Sequence, residues 1–224
     1  MCGVVALTWS PDVNAVADAL TTLLDDGSDD VVVVMHSYGG MVGTDAVGKV
    51  VEERSQGGNN TGKIRRLVYV SAYVPLEGHT LGKAMEGAVQ EPPPPPEYLS
   101  FEAPYIALND LAVDTFYHDV PEPLVSQYAP LLGKQPAATF ATPVGYAGWR
   151  RVPSTFVYTT HDRPLPLVYQ QFIGRRAQEV ANQHGCVRPF EGAMGEVYMD
   201  SGHTPFLSRM QEMGDILIRA AEIA

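Results

Sequence analysis

A chain of 224 residues, 45% hydrophobic and 18% charged, can bury one substantial core and suits a single catalytic unit with at most a covering insertion. Its formal net charge of −11 and isoelectric point near 4.9 argue against nucleic acid or an anionic membrane as partner, because an acidic surface repels phosphate-rich polymers. A neutral or weakly polar small molecule suits it better.

The first residues carry no basic leader. The apolar run Val4-Val5-Ala6-Leu7 is too short for a signal sequence or a membrane span, which points to the cytoplasm. Cys2 and Cys186 have neither metal-ligand nor framework spacing and are most simply reduced thiols, with a bridge between them left open. Residues 4–7 read as a short strand, and Ser10-Pro11-Asp12 then opens a helix on which Val13, Val16, Ala17, Leu20, Leu23 and Leu24 recur at helical spacing. Residues 31–35, Val-Val-Val-Val-Met, form an unbroken apolar run, as expected of a central parallel strand buried on both faces. A tight turn at His36-Ser37-Tyr38-Gly39-Gly40 leads into a helix marked by Met41, Val42, Ala46, Val47, Val50 and Val51, and the loop at 55–60 closes it.

Residues 67–72 and 155–159 are further buried strands. Strands therefore alternate with helices, as in an α/β fold with a mostly parallel sheet. The segment between them differs. Residues 75–150 are rich in proline and aromatics, include the run 92–96, and show only patchy helical period; we read them as a lid insertion, with Phe101, Tyr105, Ile106, Phe116 and Tyr117 available for burial. The chain thus divides into a first core part at 1–74, a lid at 75–150, and a second core part at 151–224. The last part offers a helix over 167–182, a strand over 196–199 and a closing helix carrying Met210, Met213, Ile216, Leu217 and Ala220.

Ser37 stands between a hydrophobic strand and a glycine-followed helix, on a strand-to-helix turn that pushes its hydroxyl out at the carboxyl end of the sheet. A nucleophile needs that position. Gly39 fills the place two residues after it, whereas Met35 occupies the place two before it, where the pattern G-x-S-x-G has glycine.

These residues resemble the α/β-hydrolase superfamily, in particular the small-esterase branch that includes plant methyl esterases and hydroxynitrile lyases. The resemblance covers most of the chain. It rests on the segment from Val31 to Gly43, on Ser71-Ala72-Tyr73-Val74-Pro75, on Thr160-His161-Asp162-Arg163, and on Ser201-Gly202-His203-Thr204-Pro205-Phe206. It implies an α/β-hydrolase fold with a lid and a catalytic triad of Ser37, Asp162 and His203, in the chain order of that fold. Ser37 would attack an ester or lactone carbonyl, His203 would carry its proton, and Asp162 would orient the imidazole. Asp200, Asp114 and Asp119 are rival acids. His36 reads as packing rather than a second base, and His161 lines the pocket or faces solvent.

The first oxyanion donor expected is the backbone N–H of Tyr38, at the positive end of the following helix. The second comes, in the relatives, from an early loop that should precede residue 1. The sequence therefore reads as lacking the first strands, either as a truncated chain or as a shortened natural form in which Leu7-Thr8-Trp9 supplies a donor. Tyr38, Phe116 and Trp149 are the expected substrate-binding residues, and a homodimer is compatible with an open sheet edge. No metal or organic cofactor is indicated. Two other readings remain: a lyase or cyclase on the same triad, for which Lys83 and Lys134 are the lid lysines, and a non-catalytic small-molecule binder.

Overall fold

The computed structural model describes residues 10–26, 30–57, 62–91, 94–187, 189–192 and 194–223. The expected strand at 4–7, the Leu7-Thr8-Trp9 segment and Cys2 lie outside them. The order of elements is α1 (Ser10–Asp25), β1 (Val31–His36), α2 (Gly39–Gly57) and β2 (Ile64–Val70). An insertion follows with α3 (Leu81–Met85), β3 (Leu99–Glu102), β4 (Tyr105–Leu108), α4 (Leu111–Tyr117), α5 (Glu122–Tyr128) and β5 (Gln135–Pro136). The chain closes with β6 (Ser154–Thr159), α6 (Leu167–His184), β7 (Glu196–Met199), α7 (Pro205–Ser208) and α8 (Met210–Glu222).

Four strands form one parallel sheet in the order β1-β2-β6-β7. Alternation of side chains across the pleat assigns its two faces. Leu67, Tyr69, Phe156 and Tyr158 belong to the larger core with α1, α2 and α6, while Val68, Val70, Val157 and Met199 pack with Met213, Ile216 and Ala220 of α8. A parallel sheet with helices on both faces is the arrangement the resemblance implies.

β1 departs from expectation. Among the described residues it is the outermost strand and pairs with β2 alone, so Val34 is 42% exposed and Met35 is the buried member of the run. An apolar run without polar alternation suggests burial on both faces, but only a second neighbouring layer would provide it.

The insertion between β2 and β6 carries its own three-stranded antiparallel sheet, β3-β4-β5. Helical periodicity could not reveal strands of two to four residues. Of the side chains expected to bury there, Ile106 does so, Phe116 and Tyr117 are half-buried, and Phe101 and Tyr105 stay exposed, Phe101 at 68%. Residues 94–96 of the proline run are exposed and without regular structure. No described helix is long and apolar enough to cross a membrane.

Candidate active site

β1 ends at His36, and the chain turns at once into α2, which forces Ser37 to φ +53°. Only a few per cent of non-glycine residues adopt that left-handed conformation. The turn is held at both ends: Ser37 N–H donates to the Val70 carbonyl at 3.3 Å, and the Ser37 carbonyl accepts from Gly40 N–H at 3.0 Å and Tyr73 N–H at 3.2 Å. Gly40 permits the close approach, since a Cβ there would stand 2.1 Å from the Tyr73 carbonyl oxygen. Tyr38 N–H lies at the amino end of α2, where aligned peptide dipoles favour negative charge.

Asp162 follows β6 and His203 follows β7, so both emerge at the carboxyl end of the sheet, as Ser37 does. His203 Nδ1–H donates to Asp162 Oδ2 at 2.8 Å, and both side chains are almost wholly buried. Oδ2 also accepts from the hydroxyls of Thr159, at 2.8 Å, and Ser71, while Oδ1 accepts the Leu165 N–H at 2.6 Å. Burial works to raise the carboxyl, but the hydrogen bond and charge of His203, with Ser71 and Leu165, outweigh it and hold Asp162 below its ordinary value. Gln170, fully buried on α6, braces this loop through hydrogen bonds to Thr159 and to the Leu165 carbonyl.

The histidine ring is confined from two sides. His36 lies 4.6 Å away between centroids and Phe116 5.2 Å away, edge to face. His36 Nε2–H donates to the His203 carbonyl at 2.7 Å. Burial first, and then the nearness of His203, push His36 down to about 3, so it stays neutral at physiological pH. It does more than fill space: the residue before Ser37 joins the turn between β1 and α2 to the loop that carries His203. His203 Nε2, on the far edge of the ring, is buried and has no hydrogen-bond partner among the described residues.

None of the rival acids reaches the imidazole. Asp200 pairs with His161 at 2.6 Å on the exposed surface, Asp114 pairs with Arg163, and Asp119 accepts the Gly202 N–H at 2.6 Å. Phe116 stands beside the histidine, and Tyr98 meets it edge to face at 5.4 Å. Tyr38 points toward the insertion; burial pushes its phenol up to about 12, with Thr139 and Gln135 acting the other way.

Trp149 requires a correction. It lies in the main core, fully buried, and its indole N–H donates to the Pro75 carbonyl at 2.8 Å, so it is not available to a substrate. An aromatic in the insertion reads as pocket from composition alone, but its N–H partner decides the matter. Lys134 is held by Glu102 and Lys83 is exposed on α3. Sequence reasoning missed the contacts of Ser71, and it missed Tyr98 as a ring partner of Phe116. A cleft of about 500 Å³ opens beside Asp162, but charged and polar residues such as His118, Asp119, Arg163 and Asp200 line it, and neither Ser37 nor His203 does.

A sequence profile of the alpha/beta hydrolase family matches residues 3–216. The chain is 32% identical over 206 residues to "Alpha/beta hydrolase nvfD" of Aspergillus novofumigatus, covering 90% of this chain and 73% of that protein. Among solved structures it resembles the methylesterase protein MES16 from Arabidopsis, with a TM-score of 0.66 at 19% identity over 98% of this chain and 80% of that one. It also resembles a pyrethroid hydrolase from Sphingobium faniae JZ-2, with a TM-score of 0.64 at 14% identity over 92% and 76%.

Proposed function

This chain belongs to the alpha/beta hydrolase family, and from that premise we propose that it is a serine hydrolase of small-molecule carboxylic esters or lactones, acting through Ser37, His203 and Asp162. The observation that carries the reading is the buried, hydrogen-bonded Asp162–His203 pair, taken with Ser37 held at φ +53° on the turn between β1 and α2. Ser37 Oγ adds to the carbonyl carbon as its proton passes to His203 Nε2, and the imidazolium then returns that proton to the departing alcohol oxygen. Water repeats the sequence on the acyl-enzyme. Asp162 stays ionised throughout and holds the proton on Nδ1, which leaves the Nε2 lone pair free to act as base. The Tyr38 N–H is the first donor to the developing oxyanion.

Phe116 and Tyr98 form an apolar aromatic wall beside the imidazole, which suits a neutral substrate with a hydrophobic acyl or alcohol part. In this reading the insertion is the lid. The likeness to the methylesterase MES16 supports ester chemistry, and that to the pyrethroid hydrolase supports hydrolysis. Of the two lid lysines that the lyase alternative could use, Lys134 is paired with Glu102 at the surface and Lys83 is exposed on α3.

The test is hydrolysis of p-nitrophenyl acetate and butyrate by the purified chain beside Ser37→Ala. The expected result is a loss of turnover of roughly 10⁴-fold or more in the variant. A Ser37→Ala protein that keeps the parent's rate overturns the assignment; a folded parent with no turnover favours the binder.

A further inference from the structure

We propose that Ser71 is a positioning residue for the acid–base pair, fixing the proton of His203 on Nδ1 and the carboxylate of Asp162 in place without touching substrate. The roles of Asp162 and His203 rest on the reading above.

Ser71 is the first residue after β2 and is fully buried, so it is neither a surface hydroxyl nor an alternative nucleophile. Its hydroxyl donates to Asp162 Oδ2, and its oxygen lies 3.2 Å from His203 Nδ1. A hydroxyl has one proton and two acceptor lone pairs. With the proton committed to the carboxylate, a lone pair faces the Nδ1–H, which is thereby shared between Asp162 at 2.8 Å and Ser71 at 3.2 Å. Two acceptors on that side of the ring select the Nδ1–H tautomer and leave Nε2 as the base. The same hydroxyl stabilises the charged form of the acid, since a hydrogen bond to a carboxylate favours ionisation.

The backbone makes this placement stiff. Ser71 is held at φ +43°, and its N–H donates to the Val157 carbonyl at 2.9 Å, tying it to the strand that leads to Asp162. Two residues on, Tyr73 N–H donates to the Ser37 carbonyl. A single three-residue turn therefore contacts all three members of the proposed triad. A serine placed only to fill a tight turn would need none of these side-chain contacts.

The experiment compares the full chain with Ser71→Ala and Ser71→Gly, reading the downfield Nδ1 proton of His203 by NMR, assigned by its loss in His203→Gln, together with kcat and KM. Both variants are expected to shift that resonance and speed its exchange with water, and to lower kcat by roughly 10- to 100-fold with KM little changed. Glycine relieves the positive φ, so equal effects in the two variants assign the loss to the hydroxyl rather than to the backbone. An unmoved resonance in folded variants overturns the inference, as does a glycine variant that restores the parent's rate. Because the resonance is read without substrate, it judges Ser71 even if Ser37→Ala keeps full turnover, an outcome that would instead overturn the function.

Discussion

At the scale of single residues, the site is built from side chains that hold each other in one protonation state. His36 is the clearest case, because its ring is buried between the Ser37 turn and the loop that carries His203, and its one described hydrogen bond donates from Nε2. Its native value is near 3, against 6.5 for the unfolded chain. The unfolded state therefore takes up a proton that the folded state refuses. The stability due to neutral His36 is fully present above pH 6.5 and is lost progressively as pH falls toward 3, amounting to about 4 kcal/mol by pH 3.5. Asp162, held below its ordinary 3.8, adds to the loss in the same direction, but only below about pH 4, as its carboxylate protonates. Thermal denaturation of the parent and His36→Gln across pH 7 to 4 checks this: the variant is expected to show the flatter acid side, and equal slopes would contradict it.

At the scale of elements, α4 and the turn after it grip the loops that carry Asp162 and His203. Arg163, next to Asp162, bonds Asp114; Thr204 Oγ1 donates to the Phe116 carbonyl at 3.0 Å; and Gly202 N–H donates to Asp119 Oδ2 at 2.6 Å. A Cβ at Gly202 would stand 2.5 Å from the Asp119 carboxylate and 2.6 Å from the His118 ring, so a larger residue there would displace these two side chains. Asp119→Ala is expected to lower kcat roughly 3- to 30-fold by freeing the histidine loop. Asp119→Asn, whose amide oxygen can still accept the Gly202 N–H, should retain most of the rate; steady-state kinetics of the pair decides. Most strands and helices of the core were legible in the sequence because their apolar residues form long runs or recur at helical spacing. Those of the insertion were not, because its strands of two to four residues lie in a proline-rich segment without such runs. The pairing of Asp162 with His203 was legible because each follows a strand within a few residues. Ser71 was not: its partners lie 91 and 132 residues away in the chain, and a small residue after a buried strand looks like any other turn former. Tryptophan in the insertion gave the opposite error, since composition cannot distinguish Trp149 in the core from an aromatic in a pocket.

At the scale of the whole molecule, the formal charge of −11 acts on every substrate that approaches. An anionic ester should show a lower kcat/KM than its neutral isostere at low ionic strength and should gain as salt screens the field, while the neutral ester should be nearly indifferent. An anionic ester that is turned over faster at low salt would point instead to a local cationic subsite. The fold, for its part, pairs Asp162 and His203 from the loops after β6 and β7, and the proposed chemistry depends on a single nucleophile, Ser37, after β1. Peptide mapping by mass spectrometry after treating the folded chain with a fluorophosphonate addresses that dependence. The expected result is one adduct on Ser37, absent in Ser37→Ala and formed far more slowly in His203→Ala; an unlabelled folded protein, or an adduct on another residue that persists in Ser37→Ala, would contradict it.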